Sequence, residues 1–363
     1  MTNRQRVLAC LNYTAYDRLP IIHFGFWGET LQKWQREGHL SAEDLAEGGR
    51  TAALTKMGFD LEYDPCCFPH NGLMPGFDYR VVETLPDGSR KVMNGDGVIV
   101  LQREGATSIA AEIDHTLINR ASWEEHFLPR LQFSEKRIPN LSAFMSNDYA
   151  EWRGLHCGSL LGTIRNWIGV TGLAYIHADD EELFREIIDT FADLQFRGTE
   201  TILSCGTHFD YGHFWEDICY KNGPLVSPSV FSEMVGPHYR RVTELLKQYG
   251  ITIVSLDCDG KIDALIPTWL HNGVNTMFPI EVGTWEATIQ PWRVLYGKEL
   301  RGVGGMNKNV FAEDHAAVDA EIERLRPLVD LGGFIPCPDH RLPPGAEWDN
   351  VLYYTECMRK IYG

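Results

Sequence analysis

Four short apolar runs in the last third of the chain each stop abruptly at polar residues. Residues 251–256 (ITIVSL) run into Asp257-Cys258-Asp259-Gly260, and 274–280 (VNTMFPI) run into Glu281. Residues 300–303 end at Gly304-Gly305-Met306-Asn307-Lys308, and 333–335 end at Pro336-Cys337-Pro338-Asp339-His340. Each run is strand-sized, and helix-like sequence fills each gap. Strands alternating with helices predict a parallel sheet, because a parallel pair needs a long crossover connection. Ionisable groups at successive strand ends are the arrangement by which a parallel barrel assembles an active site. No dinucleotide fingerprint is present. With a chain of 363 residues, this favours the α/β class as a (β/α)8 TIM-type barrel over a doubly wound sheet.

The rest of the chain fits one barrel domain over residues 1–363. Residues 1–75 read as N-terminal helices and a first strand: helix at 2–11, extended chain at 17–22 where Pro20 disfavours helix, then helix at 31–36 and 42–57. Residues 76–105 read as a small antiparallel β-meander insertion, with turns at Pro86-Asp87-Gly88-Ser89 and Asn94-Gly95-Asp96-Gly97. A charged connector follows at 122–138, and regular β/α units fill 155–363. Within them, 179–194 places Leu183, Phe184, Ile187, Ile188, Phe191 and Leu194 on one helical face. Residues 201–204 are a strand candidate ending near His208. Helices are expected at 229–248, 262–272, 285–296 and 312–331, the third of these closed by Gly297-Lys298.

Composition excludes several classes. Fifty acids against 33 bases give a net charge of −17, which disfavours nucleic acid and anionic membrane as partners. There is no signal peptide and no run of roughly 18 apolar residues, so a cytoplasmic protein is expected. Nine scattered cysteines without a CxxC pair fit reduced thiols rather than a disulfide framework.

Asp257 and Asp259 leave a strand at i and i+2 and so point the same way. Two close carboxylates repel, which raises one pKa or calls for a shared cation. The alternative is an Asp-Gly turn with a helix cap. Glu281 reads as a further catalytic acid or as a helix-dipole carboxylate. His340 reads as a general acid, a substrate donor, a metal ligand or a loop packing residue. The stretch from His208 to Asp217, with Asp210, Tyr211, His213, Trp215 and Glu216, reads as a substrate wall or as an ordinary loop with a helix-start acid pair. His208 and His213 are five apart, which is not helical ligand spacing. Lys308, beside Asn307, could pair with an anionic substrate or stay solvated.

The opening RQRVLACLNYTAYDRLPI resembles that of the uroporphyrinogen decarboxylase superfamily, as does the C-terminal series DCDG, PIEV, GGMNKN and GGFIPCPDHRLPP. The resemblance implies a distorted (β/α)8 barrel with its site at the C-terminal strand ends. Where the decarboxylase carries an arginine-bearing RQAGR stretch, this chain has Ile21-Ile22-His23-Phe24-Gly25-Phe26-Trp27-Gly28, an aromatic segment unsuited to a substrate with eight carboxylates. Where the coenzyme M methyltransferase branch holds zinc with His-x-Cys and a later Cys, this chain has Asp257, Asp259 and, at or near the third position, His340. Zinc tolerates such oxygen and nitrogen ligands. The pattern is most similar to the corrinoid-dependent methyltransferase branch of the O-demethylase type. It implies a methyl donor such as a methoxylated aromatic, cobalamin supplied by a partner corrinoid protein, and a homodimer. In that reading His340, Asp257, Asp259 and Glu281 are catalytic, Asp257, Asp259 and His340 hold any metal, and Phe24, Phe26, Trp27, Tyr211 and Trp215 hold the ring; His208, Asp210, Asn307 and Lys308 complete the substrate site. The competing readings are a decarboxylase of another substrate and a ligand-binding barrel without catalysis.

Overall fold

The structure is a computed structural model and describes residues 1–46, 50–103 and 110–363. Its centre is a six-stranded parallel sheet. In chain order the strands of the molecule are β1 (Ile22–His23), β2 (Leu61–Glu62), β3 (Arg80–Thr84), β4 (Arg90–Met93), β5 (Val98–Gln102), β6 (Ala111–His115) and β7 (Gly154–Gly158). They continue as β8 (Tyr211–Trp215), β9 (Cys219–Tyr220), β10 (Gly223–Pro224), β11 (Ile253–Asp257), β12 (Thr276–Ile280), β13 (Arg301–Met306) and β14 (Phe334–Pro338). The central order is β14-β13-β12-β11-β8-β7. The four apolar runs thus become β11 to β14. All residues of β12 and β14 are buried, as a parallel sheet covered by helices on its faces requires.

The expected closed eight-stranded barrel is corrected in part. β1 and β2 pair with each other in parallel, outside the six-stranded ladder. Single parallel bridges reach them: Cys67 pairs with Leu155 beside β7, and Phe26 with Leu342 beyond β14. The Trp27 and Leu342 N–H groups donate to Leu342 and Gly25 carbonyls at 3.1 and 3.0 Å. Pro65, three residues after β2, offers no N–H to an extension of the pair, and the Cys66 and Cys67 N–H groups turn instead to the Gly154 carbonyl.

A second correction concerns residues 201–204. They are not a strand but the last turn of the helix Glu181–Ser204. Ile202 and Leu203 are buried and continue the stripe begun by Leu183, Ile187, Phe191 and Leu194, so the helical period outlasts 194. The strand comes later, as β8, and the polar aromatic stretch around 208–217 is largely that strand and its two ends.

The N-terminal helix is Asn3–Leu11, started by a capping box in which Thr2 accepts from the Gln5 N–H and Gln5 from the Thr2 N–H. The helix expected over 42–57 is seen as Ala42–Ala46 and Arg50–Lys56; the residues between lie outside the described ones. The meander has a fourth strand, β6, which extends it beyond 105 in the order β3-β4-β5-β6. Its turns form as read: Asp87 accepts from the Ser89 N–H, and Asn94 from the Asp96 and Val98 N–H groups. β6 packs on the helix Gly162–Asp179, so the meander lies over the C-terminal end of the sheet on the β8 side. No described helix is long and apolar enough to cross a membrane.

Candidate functional site

Three carboxylates converge where β8 and β11 end. Asp257 is the last residue of β11, Asp259 follows two positions on, and Asp217 lies two residues beyond β8. Each offers an oxygen within 4.8 Å of the others. Two features hold them there. The Asp259 N–H donates to Asp217 Oδ1 at 3.2 Å. Gly260 makes the turn at φ +85°, where an added Cβ would sit 2.5 Å from the Cys219 carbonyl; only glycine fits.

Glu216 fixes the other side. Its buried carboxylate accepts from the Leu160, Leu161 and Gly162 N–H groups at 2.7, 2.9 and 2.6 Å, and from the Tyr239 hydroxyl. It thereby satisfies the start of the helix Gly162–Asp179 with a full negative charge. A Cβ at position 162 would lie 1.8 Å from the Glu216 carbonyl, so a glycine there permits the approach. Pinned by Glu216, the chain turns left-handed at Asp217, φ +47°, and delivers its carboxylate to the cluster.

His340, just past β14, closes the site. Its Nε2 is 3.5 Å from Asp259 Oδ2. Its ring stacks on Trp27 at 5.8 Å and meets the edge of Phe24 at 5.8 Å. The neighbouring Asp339 is fully buried and accepts from the Val282, Gly283 and Lys308 N–H groups at 2.9, 2.7 and 3.1 Å, and from Lys308 Nζ at 3.2 Å. Asp339 thus ties three strand ends together, and β14 presents His340 from a rigid base.

Electrostatics follow from this crowding. Burial, reinforced by Asp259, Asp217 and Asp64, pushes the Asp257 carboxyl well above its ordinary range, against a pull from Arg341. Burial and Asp259 raise Asp217 to about 6. Glu281 is raised by burial and Asp259. For His340, burial opposes the charged form, but its hydrogen bond and charge interaction with Asp259 outweigh it, and the net shift is upward. The cluster therefore holds protons near neutral pH or shares a cation.

Asp257, Asp259, His340, Phe24 and Trp27 lie close together at the C-terminal end of the sheet. Glu281 is adjacent but committed: it accepts from the Gly260 N–H at 2.5 Å and the Thr284 hydroxyl at 2.9 Å, so it is a strut for the Asp257–Gly260 turn. Lys308 faces Asp339, and Asn307 caps its own turn by accepting from the Asn309 N–H. Four residues lie elsewhere. Phe26 packs on His23 and Trp34. Tyr211 is buried between Trp152 and Tyr63. His208 is exposed, and Asp210 pairs with Arg4 at 2.8 Å. His208 and Asp210 precede β8, at the opposite end of the sheet from the cluster, because parallel strands put their N-terminal ends on the other face of the fold. With a strand expected at 201–204, Asp217 has no strand-end position in the sequence pattern and so no reason to be a ligand. Once YGHFW is the strand, Asp217 stands to β8 much as Asp259 stands to β11.

Trp215, at the C-terminal end of β8, lines a cleft of about 320 Å³ under the meander, together with Asp217 and Arg165. Deeper in, His213 Nδ1 and Ser255 Oγ are 2.7 Å apart. Burial holds the His213 imidazole well below its ordinary range and His156 down at about 4, so both are neutral.

No protein-family model matches the chain, and no curated protein sequence matches it. A solved methyltransferase from Methanosarcina mazei is similar over 100% of both chains, with a TM-score of 0.61 and 12% identity. That end-to-end likeness shows a shared fold. A B12-independent methionine synthase from Shewanella sp. W3-18-1, in complex with selenomethionine, covers 95% of this chain and 98% of its own at 13% identity, with a TM-score of 0.47.

Proposed function

We propose that this protein transfers a methyl group from a small methylated donor, a methoxylated aromatic, to the cob(I)alamin of a partner corrinoid protein. We read the six-stranded sheet and the β1–β2 pair as an opened (β/α)8 barrel, the bridges at both sheet edges supporting this. The observation that carries the function is His340 beside Asp259, at the rim of a carboxylate cluster and between aromatic walls.

The chemistry asked of these residues is leaving-group stabilisation. A methyl aryl ether loses its methyl to a cobalt(I) nucleophile while the carbon–oxygen bond electrons stay on the phenolate. Phenolate is a poor leaving group at neutral pH, so a proton delivered to the ether oxygen lowers the barrier. His340, whose charged form Asp259 favours, supplies that proton. The product is the phenol, and the neutral imidazole then regains a proton from water. Trp27 and Phe24 orient the ring, and Asp339 fixes the segment that carries His340.

Asp217, Asp257 and Asp259 also fit a divalent cation, because three hard oxygen donors converge and their repulsion is relieved by it. When bound, such an ion would supply Lewis-acid polarisation of an oxygen ligand. Asp217 suits the third ligand position better than His340, whose Nε2 is already engaged by Asp259.

The test incubates the protein with reduced corrinoid protein and a panel of methoxyaromatics while following the cobalt spectrum. Methylation of the corrinoid is expected in wild type and absent in a folded His340→Ala variant. Wild-type turnover in that variant sinks the assigned role. Carbon dioxide release without a corrinoid requirement favours a decarboxylase instead.

A further inference from the structure

The cleft under the meander contains a guanidinium that forms no ion pair among the described residues. Arg165 sits in the first turn of the helix Gly162–Asp179 and lines the cleft beside Trp215 and Asp217. Its one hydrogen bond among the described residues runs from Nη2 to the Asp217 carbonyl at 2.9 Å. Nε is buried without an acceptor, an unmatched donor that carries a cost, and the charge of the group also acts on the Asp217 carboxyl, pulling it down against burial. The other cations around the site differ. Lys308 is spent on Asp339, and Arg341 is exposed and lies over Trp27.

The remaining walls set the shape of what could meet Arg165. Val98, Val100 and Ala110 give an apolar floor from the meander, and Trp215 gives an aromatic face from β8. A cleft of about 320 Å³ is at the small end for ligand sites and suits a single ring. Asp217 belongs both to this cleft and to the carboxylate cluster, so the cleft adjoins the reacting groups.

We infer that this cleft is the donor's recognition subsite and that Arg165 selects an aromatic ring bearing a carboxylate. The inference rests on the methyl-donor reading for its name, but the binding claim stands on the cleft. Arginine and carboxylate match in charge and in planar fork geometry. A dianionic phosphate is disfavoured, because Asp96, Glu112 and Asp217 also line the cleft and each repels a second negative charge. Asp96 and Glu112 are exposed, so water and salt screen them from a single carboxylate held on Arg165. An organic cation is disfavoured because Arg165 would repel it at close range, where it is least screened.

Isothermal titration of the full chain with three probes of similar size separates these outcomes: para-methoxybenzoate, the neutral para-methoxybenzamide and the cationic para-methoxybenzylamine. Para-methoxybenzoate should bind most tightly. Arg165→Met should weaken it by on the order of 10- to 100-fold, the range for losing a charged hydrogen-bonded pair, while shifting the amide by less than about 3-fold. Arg165→Lys should recover part of the loss and guards against a variant that does not fold. Equal binding of the acid and the amide by wild type, or tighter binding of the amine, overturns the inference without any variant. Selective, Arg165-dependent binding without methyl transfer to any corrinoid would leave the subsite standing and remove the proposed reaction.

Discussion

Replacing Asp217 by asparagine should make the folded chain more stable at neutral pH. Asp217 is raised from 3.8 to about 6, first by burial and then by Asp259. Two units at about 1.4 kcal/mol each give an upper bound of about 3 kcal/mol. Because Asp257 and Asp259 share the proton with it, a gain of about 1–2 kcal/mol is the sensible expectation. Asparagine retains an oxygen to accept the Asp259 N–H, and it tolerates the left-handed backbone found at this position. The sign follows from linkage. A carboxyl raised on folding binds more protons in the folded state between pH 3.8 and about 6, so wild-type stability falls as pH rises through that window. The variant should therefore match wild type below about pH 4 and exceed it above about pH 6. Urea unfolding of both proteins at the two ends of the window, with divalent ions chelated, measures this. Equal or lower stability of the variant at pH 7 would refute the argument that burial and the neighbouring acid make the ionised Asp217 costly in the folded state. Adding a divalent cation should then stabilise wild type and not Asp217→Asn, since binding to the folded state adds stability only where the ligands are complete.

Two other substitutions test the scaffold. Glu216→Ala removes the acceptor for the Leu160, Leu161 and Gly162 N–H groups and the Tyr239 hydroxyl. Urea unfolding should show a loss of about 3–5 kcal/mol, as expected for stranding several buried donors; a loss under about 1 kcal/mol would mean the cradle is not structural. Asp210→Ala breaks the Arg4 pair and leaves the Arg153 N–H and Tyr149 hydroxyl without their acceptor. It should lower stability by about 1–3 kcal/mol while the methyl-transfer rate stays at the wild-type value; a rate loss in folded protein would return Asp210 to the site.

How much of this was legible in the sequence varies from residue to residue. The runs before Asp257, Glu281, Asn307 and Asp339 are short, mainly apolar and followed closely by polar residues, so both the strands and the direction of their ends are readable. The sequence pattern of the helix 181–204 fades after 194 because Thr199, Thr201 and Ser204 dilute an apolar stripe that Ile202 and Leu203 in fact continue. A helix ending there displaces β8 and makes Asp217 look like a helix-start acid. Phe26 and Tyr211 look like ring-binding aromatics in sequence. Only packing shows that their neighbours are Trp34, Tyr63 and Trp152.

The sequence by itself determined the alternating β/α pattern and the chemistry available at the ends of β11, β12 and β14, because strand period and strand length are local properties. Only the tertiary structure decided which of those groups meet. It joined Asp217 to Asp257 and Asp259 across two strands more than 35 residues apart in sequence. It spent Glu281 and Asp339 on backbone N–H groups, left Arg165 facing a cleft, and sent Asp210 to the far end of the sheet. Those outcomes depend on strand order, register and burial, which are set by contacts distant along the chain.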